Sequence, residues 1–218
     1  MAKSKSYNLL CPIARALDAL GDRWSLLILR DLHAGPARFA DLQKGLAGIA
    51  SNLLTDRLAH LSKEGLIEKT QGAHNTALYQ LTNAGWATRG LLFDLALVGG
   101  RMQPVPEPKK PGNLRTVAVT LAAALDRVVA PDTSAQAQLT VDDEPFAISI
   151  HNGDVSVLSG PNPDRQVSIT TTYPDLLAAA AGAMPLDAFA KSASITANDA
   201  RVAETTMTLL GAAMAQMQ

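Results

Sequence analysis

Residues 51–69 read SNLLTDRLAHLSKEGLIEK, and the way this stretch folds decides how the first half of the chain is understood. At about 100° per residue, Ala50, Leu53, Leu54, Leu58 and Leu61 fall on one arc of a helix. Ser51, Asn52, Thr55, Ala59 and Lys63 occupy the other side. That open side lacks the Glu and Lys density of an ordinary solvated helix, and its short hydrogen-bonding side chains suit close contact with a polar partner. Gly65 stops the helix, and an apolar strand begins directly at Leu66 and Ile67. Taken alone, an amphipathic helix resting on a core explains the pattern equally well, so the flanking segments decide.

Upstream, Ile13, Leu17 and Leu20 follow Pro12 at i, i+4, i+7 spacing and predict a helix closed by Gly21. A second helix starts near Asp22 with Trp24, Leu27 and Ile28 as its core stripe, and Ala34-Gly35-Pro36 breaks it. Phe39, Leu42 and Leu46 mark a short third helix. Downstream, LIEKT (66–70) and ALYQLT (77–82) read as strands around the turn-rich QGAHN (71–75). Three helices, a further helix and a two-stranded wing make a winged helix-turn-helix layout. NAGWATRGLLFDLALVGG (83–100) then predicts a fifth helix, apolar almost all round from Leu91 to Val98. Such a helix needs cover on two sides, and a second copy of the chain supplies one most simply, so a homodimer is expected.

Several blocks in this order resemble the HxlR-type winged helix regulators: Cys11-Pro12, Arg23-Trp24 to Leu29, Arg38-Phe39 to Leu42, Ile49 to Leu58, and Tyr79 to Gly85. The resemblance covers roughly residues 8–100 and departs from the family pattern at Ala50, where a Ser is usual, which moves the helix cap one residue on or weakens it. It implies a DNA-binding transcriptional regulator. In a helix-turn-helix the second helix enters the major groove with its first turns against base edges. Ser51, Asn52 and Thr55 are the residues placed there, Asn52 being suited to adenine through its amide. Arg57 leaves the edge of the apolar arc, its stem along the core and its head toward a phosphate or a carboxylate; Asp56 is one candidate partner. Arg38, Lys44 and Lys63 are expected phosphate neighbours, and His74 and Asn75 mark the wing tip. The resemblance also implies, for Cys11, a sensing role toward electrophiles or oxidants. With one cysteine in the chain, only intermolecular or adduct chemistry is open to it, and filling apolar space is the plainer role.

GGRMQPVPEPKKPGN (99–113) carries Pro104, Pro106, Pro108 and Pro111 and reads as a semi-rigid tether. The expected organisation is therefore a winged, dimerising domain over 1–100, a linker over 101–113 and a second domain over 114–218. In the last, LRTVAVTLAAALDRVVAP (114–131) predicts a helix with one apolar face. AQLTVDD, PFAISIHN, DVSVLSG and RQVSITTT then predict a four-strand meander of period-two alternation. Two short helices (TYPDLLAAAAG, PLDAFAKSA), a short strand (ASITAN) and a terminal helix complete it. The fold class is α+β, with a mostly antiparallel sheet covered by helices. The phrases ISIHNGDVSV, PDRQVSITTTYPDLLAAAAG and AFAKSASITANDA resemble the sterol-carrier-protein type of lipid-binding fold; Asn198-Asp199 stands where that family usually has Gly-Asp. The resemblance implies a tunnel for an apolar or lipid ligand between sheet and helices, with Phe146, Ile148, Met184, Phe189, Met207 and Leu210 as candidate walls. A solid core is the competing reading of the same residues.

The charge is divided between the halves. Residues 1–104 hold 12 Lys and Arg against 8 Asp and Glu, a net +4, whereas residues 105–218 hold 7 against 12, a net −5. Only the first half has the sign to meet a polyanion. His33, His60, His74 and His151 show no metal-ligand spacing, and no nucleophile has an evident base, so neither an enzyme nor a cofactor is expected. Asp142, Asp143, Glu144 and Asp154 read as solvated turn residues. No window of about 18 apolar residues and no secretory leader is visible, which makes the cytoplasm the default location. The alternative function is a lipid or acyl-ligand carrier whose winged domain serves only for dimerisation.

Overall fold

The computed structural model describes residues 6–102 and 113–218. Contacts divide them into two compact units, one ending at Thr88 and one beginning at Arg89. The expected proline tether, with Pro104, Pro106, Pro108 and Pro111, lies outside the described residues.

The first unit runs α1 (Pro12–Leu20), α2 (Ser25–His33), α3 (Phe39–Gly45), α4 (Ser51–Lys63), β1 (Ile67–Gln71), β2 (Ala77–Leu81) and a short α5 (Asn83–Trp86). Its core joins Ile28, Leu29 and Leu32 of α2, Leu42 of α3, and Leu54, Leu58 and Leu61 of α4, none more than 2% exposed. Each such side chain contributes about 1.5–3 kcal/mol on burial, so the three leucines fix the rotation of α4 and leave Ser51, Asn52 and Thr55 exposed. The α1 stripe turns out otherwise than periodicity suggests. Leu20 is buried, but Ile13 is 71% and Leu17 47% exposed.

β1 and β2 pair antiparallel from Ile67↔Leu81 to Gln71↔Ala77. Ala37 adds a bridge, the Ala37 and Tyr79 N–H groups each donating to the other residue's carbonyl at 3.0 and 2.9 Å. Gly65 adopts φ +72°, the left-handed geometry that lets α4 stop and β1 start at once. Gly85 is needed for space: a Cβ there would sit 2.1 Å from the Leu66 carbonyl oxygen.

The single helix expected over 83–100 breaks in two, because α5 ends at Trp86 and α6 runs Arg89–Arg101. The Gly85 carbonyl is taken by the Thr88 N–H at 3.0 Å and by the Thr88 hydroxyl at 2.7 Å, so it is not left for the residue that would continue the helix. His33 Nε2 lies 3.0 Å from that hydroxyl in a buried contact.

The second unit holds α6, α7 (Thr116–Leu125), β3 (Ala135–Val141), β4 (Glu144–His151), β5 (Asp154–Ser159), β6 (Val167–Thr171), α8 (Tyr173–Ala180), α9 (Leu186–Ser192), β7 (Ser194–Ala197) and α10 (Ala200–Ala215). The strand order is β5-β4-β3-β6-β7, with β3 and β6 parallel and the other neighbours antiparallel. Asp142, Asp143, Asn152 and Gly153 all have positive φ, as two-residue hairpin turns require. The expected meander is corrected at its fourth strand, which crosses over to lie beside β3. Asn162 anchors the crossover. It is 3% exposed, and its amide nitrogen is 3.1 Å from the carbonyls of Ala137 and Ile148, a set of acceptors found only above the β3–β4 pair.

One sheet face is apolar, with Leu139, Phe146, Ile148, Val157 and Ile169 buried. α7 packs on β5, and α10 packs on α7, β6 and β7. α7 is buried over most of its circumference, from Val117 to Leu125, and so is a central helix rather than one with a single apolar face. α6 packs on α7 through ion pairs Arg89–Asp126 at 2.8 Å and Arg127–Asp94 at 3.3 Å, with the Arg127 guanidinium 4.0 Å from the Phe93 ring centre. These contacts draw α6 into the second unit, so the division falls earlier than the expected residue 100. Among the described residues no helix is long and apolar enough to cross a membrane.

Candidate nucleic-acid interface

The N-terminal end of α4 is built from α3 and from the turn before α4. Leu46 and Ile49 are buried on either side of Gly48, whose φ is +95°, so the α3–α4 connection is tight and its angle is set by apolar packing. Ala50 caps α4 without a side-chain hydrogen bond, as the missing Ser implies. α3 is tied to the first residue of α4 by a separate contact, Gln43 Nε2 donating to the Ser51 hydroxyl at 2.5 Å.

Three of the expected base-facing residues share this exposed surface, but they are not equally available. The Thr55 hydroxyl donates to the Ser51 carbonyl at 2.9 Å, and the Ser51 oxygen already accepts from Gln43. Asn52 Oδ1 accepts the Leu53 N–H at 2.9 Å, leaving the amide N–H groups for an outside acceptor. Asn52 therefore has the largest unused capacity of the three.

Arg57 is placed differently from the rest. Its guanidinium is half-buried and pairs with Asp22 at 3.3 Å, not with Asp56. Asp22 also accepts the N–H groups of Trp24 and Ser25 at 2.8 and 3.1 Å and the Ser25 hydroxyl. It thus caps the start of α2 and ties it to the middle of α4. Burial raises the carboxyl pKa, but the Ser25 hydroxyl, the two backbone N–H groups and the Arg57 charge together outweigh it and hold the carboxyl below its usual value. Neither Asp22 nor Gln43 stands out in the sequence as a site residue. Asp22 at the mouth of a predicted helix is a capping signal, whereas nothing in the sequence pairs it with Arg57.

The remaining expected contacts lie outside α4's first turns. Arg38 precedes α3, where its N–H donates to Asp41 at 3.2 Å, and its side chain is exposed, as is Lys63 at the end of α4. Asn75 has φ 57° in the 3₁₀ turn Ala73–Asn75 of the wing; the side chain of His74 lies outside what is described. Cys11 is exposed at the start of α1.

Of the candidate ligand walls Phe146, Ile148, Met184, Phe189, Met207 and Leu210, only the last lines the cavity found in this unit. Phe146 and Phe189 are fully buried, and Ile148 is 6% exposed, so these three fill solid core. That cavity, of about 480 Å³, lies among α6, α7, α8 and α10. The sheet supplies no part of its wall, because the apolar side chains of β3–β6 are already packed against helices.

Residues 19–104 match the HxlR-like helix-turn-helix family. An uncharacterized HTH-type transcriptional regulator from Synechocystis sp. is 38% identical over 60 residues, 28% of this chain and 44% of that protein. Another, Mb3122 of Mycobacterium bovis, is 35% identical over 97 residues, 44% of this chain and 61% of that protein. The chain thus spans less than two thirds of either relative. The reduced form of the transcriptional regulator YodB from Bacillus subtilis shares 26% identity with a TM-score of 0.39, covering 47% of this chain and 100% of that one. The N-terminal region is accordingly an HxlR-like helix-turn-helix domain whose homologues are transcriptional regulators. The match includes α6, which packs with the second unit.

Proposed function

We propose that the HxlR-like helix-turn-helix domain makes this chain a dimeric, DNA-binding transcriptional regulator. The observation that carries the reading is the exposed face of α4: Ser51, Asn52 and Thr55 on a helix held rigid by three buried leucines. A major groove about 12 Å wide admits such a helix. Asn52 meets an adenine edge through its unused N–H groups and second Oδ1 lone pair. Arg38 and Lys63 neutralise phosphates, and His74 and Asn75 touch the backbone beside the wing. Arg57 acts at one remove, by keeping α4 in register with α2.

Dimerisation is supported by an outward apolar row on α6, where Leu91, Leu95, Val98 and Met102 are 44, 42, 58 and 67% exposed. Their i, i+4, i+7, i+11 spacing is one helix face. A second copy laid on it would pair two chains, as the two half-sites of a pseudo-palindromic operator require. The exposure of Cys11 at the start of α1 supports a reading in which it reacts with oxidants or with a second chain. The second unit serves as an effector-binding domain, and its sheet order with helices on one face fits the sterol-carrier-like reading.

Selection from a random duplex pool tests this. A pseudo-palindrome with half-sites about 10 bp apart is expected, bound in preference to a scrambled duplex as salt is raised. Failure to enrich any sequence, with parallel loss of affinity for both duplexes in salt, would leave the lipid-carrier alternative in its place.

A further inference from the structure

The cavity in the second unit is walled by α6, α7, α8 and α10 and by the residues at the ends of α8 and α10, and its composition specifies a ligand. Phe93 and Leu97 of α6, Leu121 of α7, Leu177 of α8, and Leu210 and Met214 of α10 give it an apolar interior. Arg101, at the last residue of α6, is the one charged side chain among the described residues that line it. Arg101 is exposed and has no ion pair among the described residues. At about 480 Å³ the space lies within the range of small-molecule sites, roughly 300–1,000 Å³. Leu177, 56% exposed, brings one apolar lining side chain to the surface.

We propose that this cavity binds a single-chain amphiphile with an anionic head, an acyl carboxylate, whose tail lies among Phe93, Leu97, Leu121 and Met214 and whose head pairs with Arg101. Thr116, Thr120, Tyr173 and Gln218 also line the cleft, but its wall is mainly apolar with Arg101 as its one cation, which favours a ligand with one negative charge and a tail over a neutral hydrocarbon.

The site also lies beneath a helix that can transmit its occupancy. The first half of α6 is clamped to α7 by Arg89–Asp126, Asp94–Arg127 and the Arg127–Phe93 contact. Among the described residues no such clamp is present on the second half, where Ala96, Leu97, Gly100 and Arg101 border the cavity. The opposite face of that half carries Leu95, Val98 and Met102. A tail filling the cavity therefore bears on the free half of the helix whose outer face is the proposed dimer contact. This regulatory clause rests on the function proposed above; the ligand site does not. Ligand can shift DNA affinity only to the extent that it binds the two α6 positions unequally.

Calorimetric titration of the full chain with dodecanoate, dodecanol and dodecyltrimethylammonium tests the assignment. Dodecanoate should bind one per chain, with Arg101→Gln weakening it about tenfold while leaving dodecanol unchanged. Gly100→Phe and Ala180→Phe, which place a ring in the cavity from opposite walls, should each weaken both ligands at least tenfold. A Cβ at Gly100 meets nothing within 4 Å, so that variant is expected to fold, as its thermal midpoint would verify. Undiminished binding in both wall variants, equal affinity for the cationic amphiphile, or no binding of dodecanoate would overturn the site. Loss of a dimer on sedimentation of the wall variants would make the cleft an interface between copies instead. Titration of selected DNA with and without dodecanoate separates the two levels. Absence of DNA binding by the ligand-free chain defeats the regulator and leaves the site standing, whereas DNA affinity unmoved by saturating dodecanoate defeats the coupling alone.

Discussion

Removing the Asp22 carboxylate should loosen the whole first unit, and the loss can be resolved into parts. Asp22→Ala deletes a cap that accepts two backbone N–H groups at 2.8 and 3.1 Å, worth about 1 kcal/mol. It also removes a half-buried ion pair to Arg57 at 3.3 Å, worth about 0.5 kcal/mol. Finally it orphans the hydroxyl of Ser25, a residue with no exposed surface, at about 1 kcal/mol. The sum is about 2–3 kcal/mol, or a fall of roughly 10–20 °C in the midpoint of a unit this size. Both tryptophans, Trp24 and Trp86, belong to the first unit, so urea unfolding followed by tryptophan fluorescence reads that unit without the other. Asp22→Asn keeps an equally good cap without the charge and should cost about 0.5–1 kcal/mol. The folded carboxyl lies below its ordinary value of 3.8, so its stabilisation is complete above the unfolded pKa of about 3.9. It is lost as pH falls through the lower folded value. The gap between wild type and Asp22→Asn should accordingly be constant from about pH 5 to 8 and close below about pH 4. Equal losses in the Ala and Asn variants, or an Ala variant within about 0.5 kcal/mol of wild type, would refute the capping argument.

Other variants probe other links. Gly85→Ala would bring a methyl group 2.1 Å from the Leu66 carbonyl oxygen, and a loss of about 1–3 kcal/mol in the same unfolding assay is expected. Asn52→Ala should weaken binding to a selected operator by about 1–3 kcal/mol and relax preference at one position, whereas Lys63→Ala should weaken all duplexes alike and lower the salt slope by about 1; fluorescence anisotropy across a salt series distinguishes them. Leu95→Asp, in the middle of the exposed α6 row, should convert a sedimenting dimer to monomer with no loss of helicity by circular dichroism.

The α4 helix was legible because its leucines recur at the helical period, and that period is a property of the backbone alone. The turns after β3 and β4 were legible as polar breaks between alternating strands, but not their exact residues: Asp142-Asp143 and Asn152-Gly153 turn with positive φ, while Glu144 and Asp154, expected in turns, begin β4 and β5. The crossover of β6 was not legible. Its determinant is one buried amide, Asn162, whose acceptors belong to residues 137 and 148, and no local pattern announces such a partnership. The break between α5 and α6 has no local signal either, because it depends on a Thr88 hydroxyl whose hydrogen bond to the Gly85 carbonyl competes with helix continuation.

By itself, then, the sequence determined most of the helical and strand segments, apart from the break between α5 and α6, as well as the helix-turn-helix of the first half and the polar face of α4. These follow from side-chain periodicity and backbone restriction, interactions that act over a few residues. Tertiary structure alone decided that Arg57 answers to Asp22, that α6 packs with the second unit, and that the cavity opens among helices while Phe146 and Phe189 fill a core. Each of those depends on which apolar faces meet and which buried polar groups find partners far along the chain, and burial is a property of the assembled unit that no short window of residues contains.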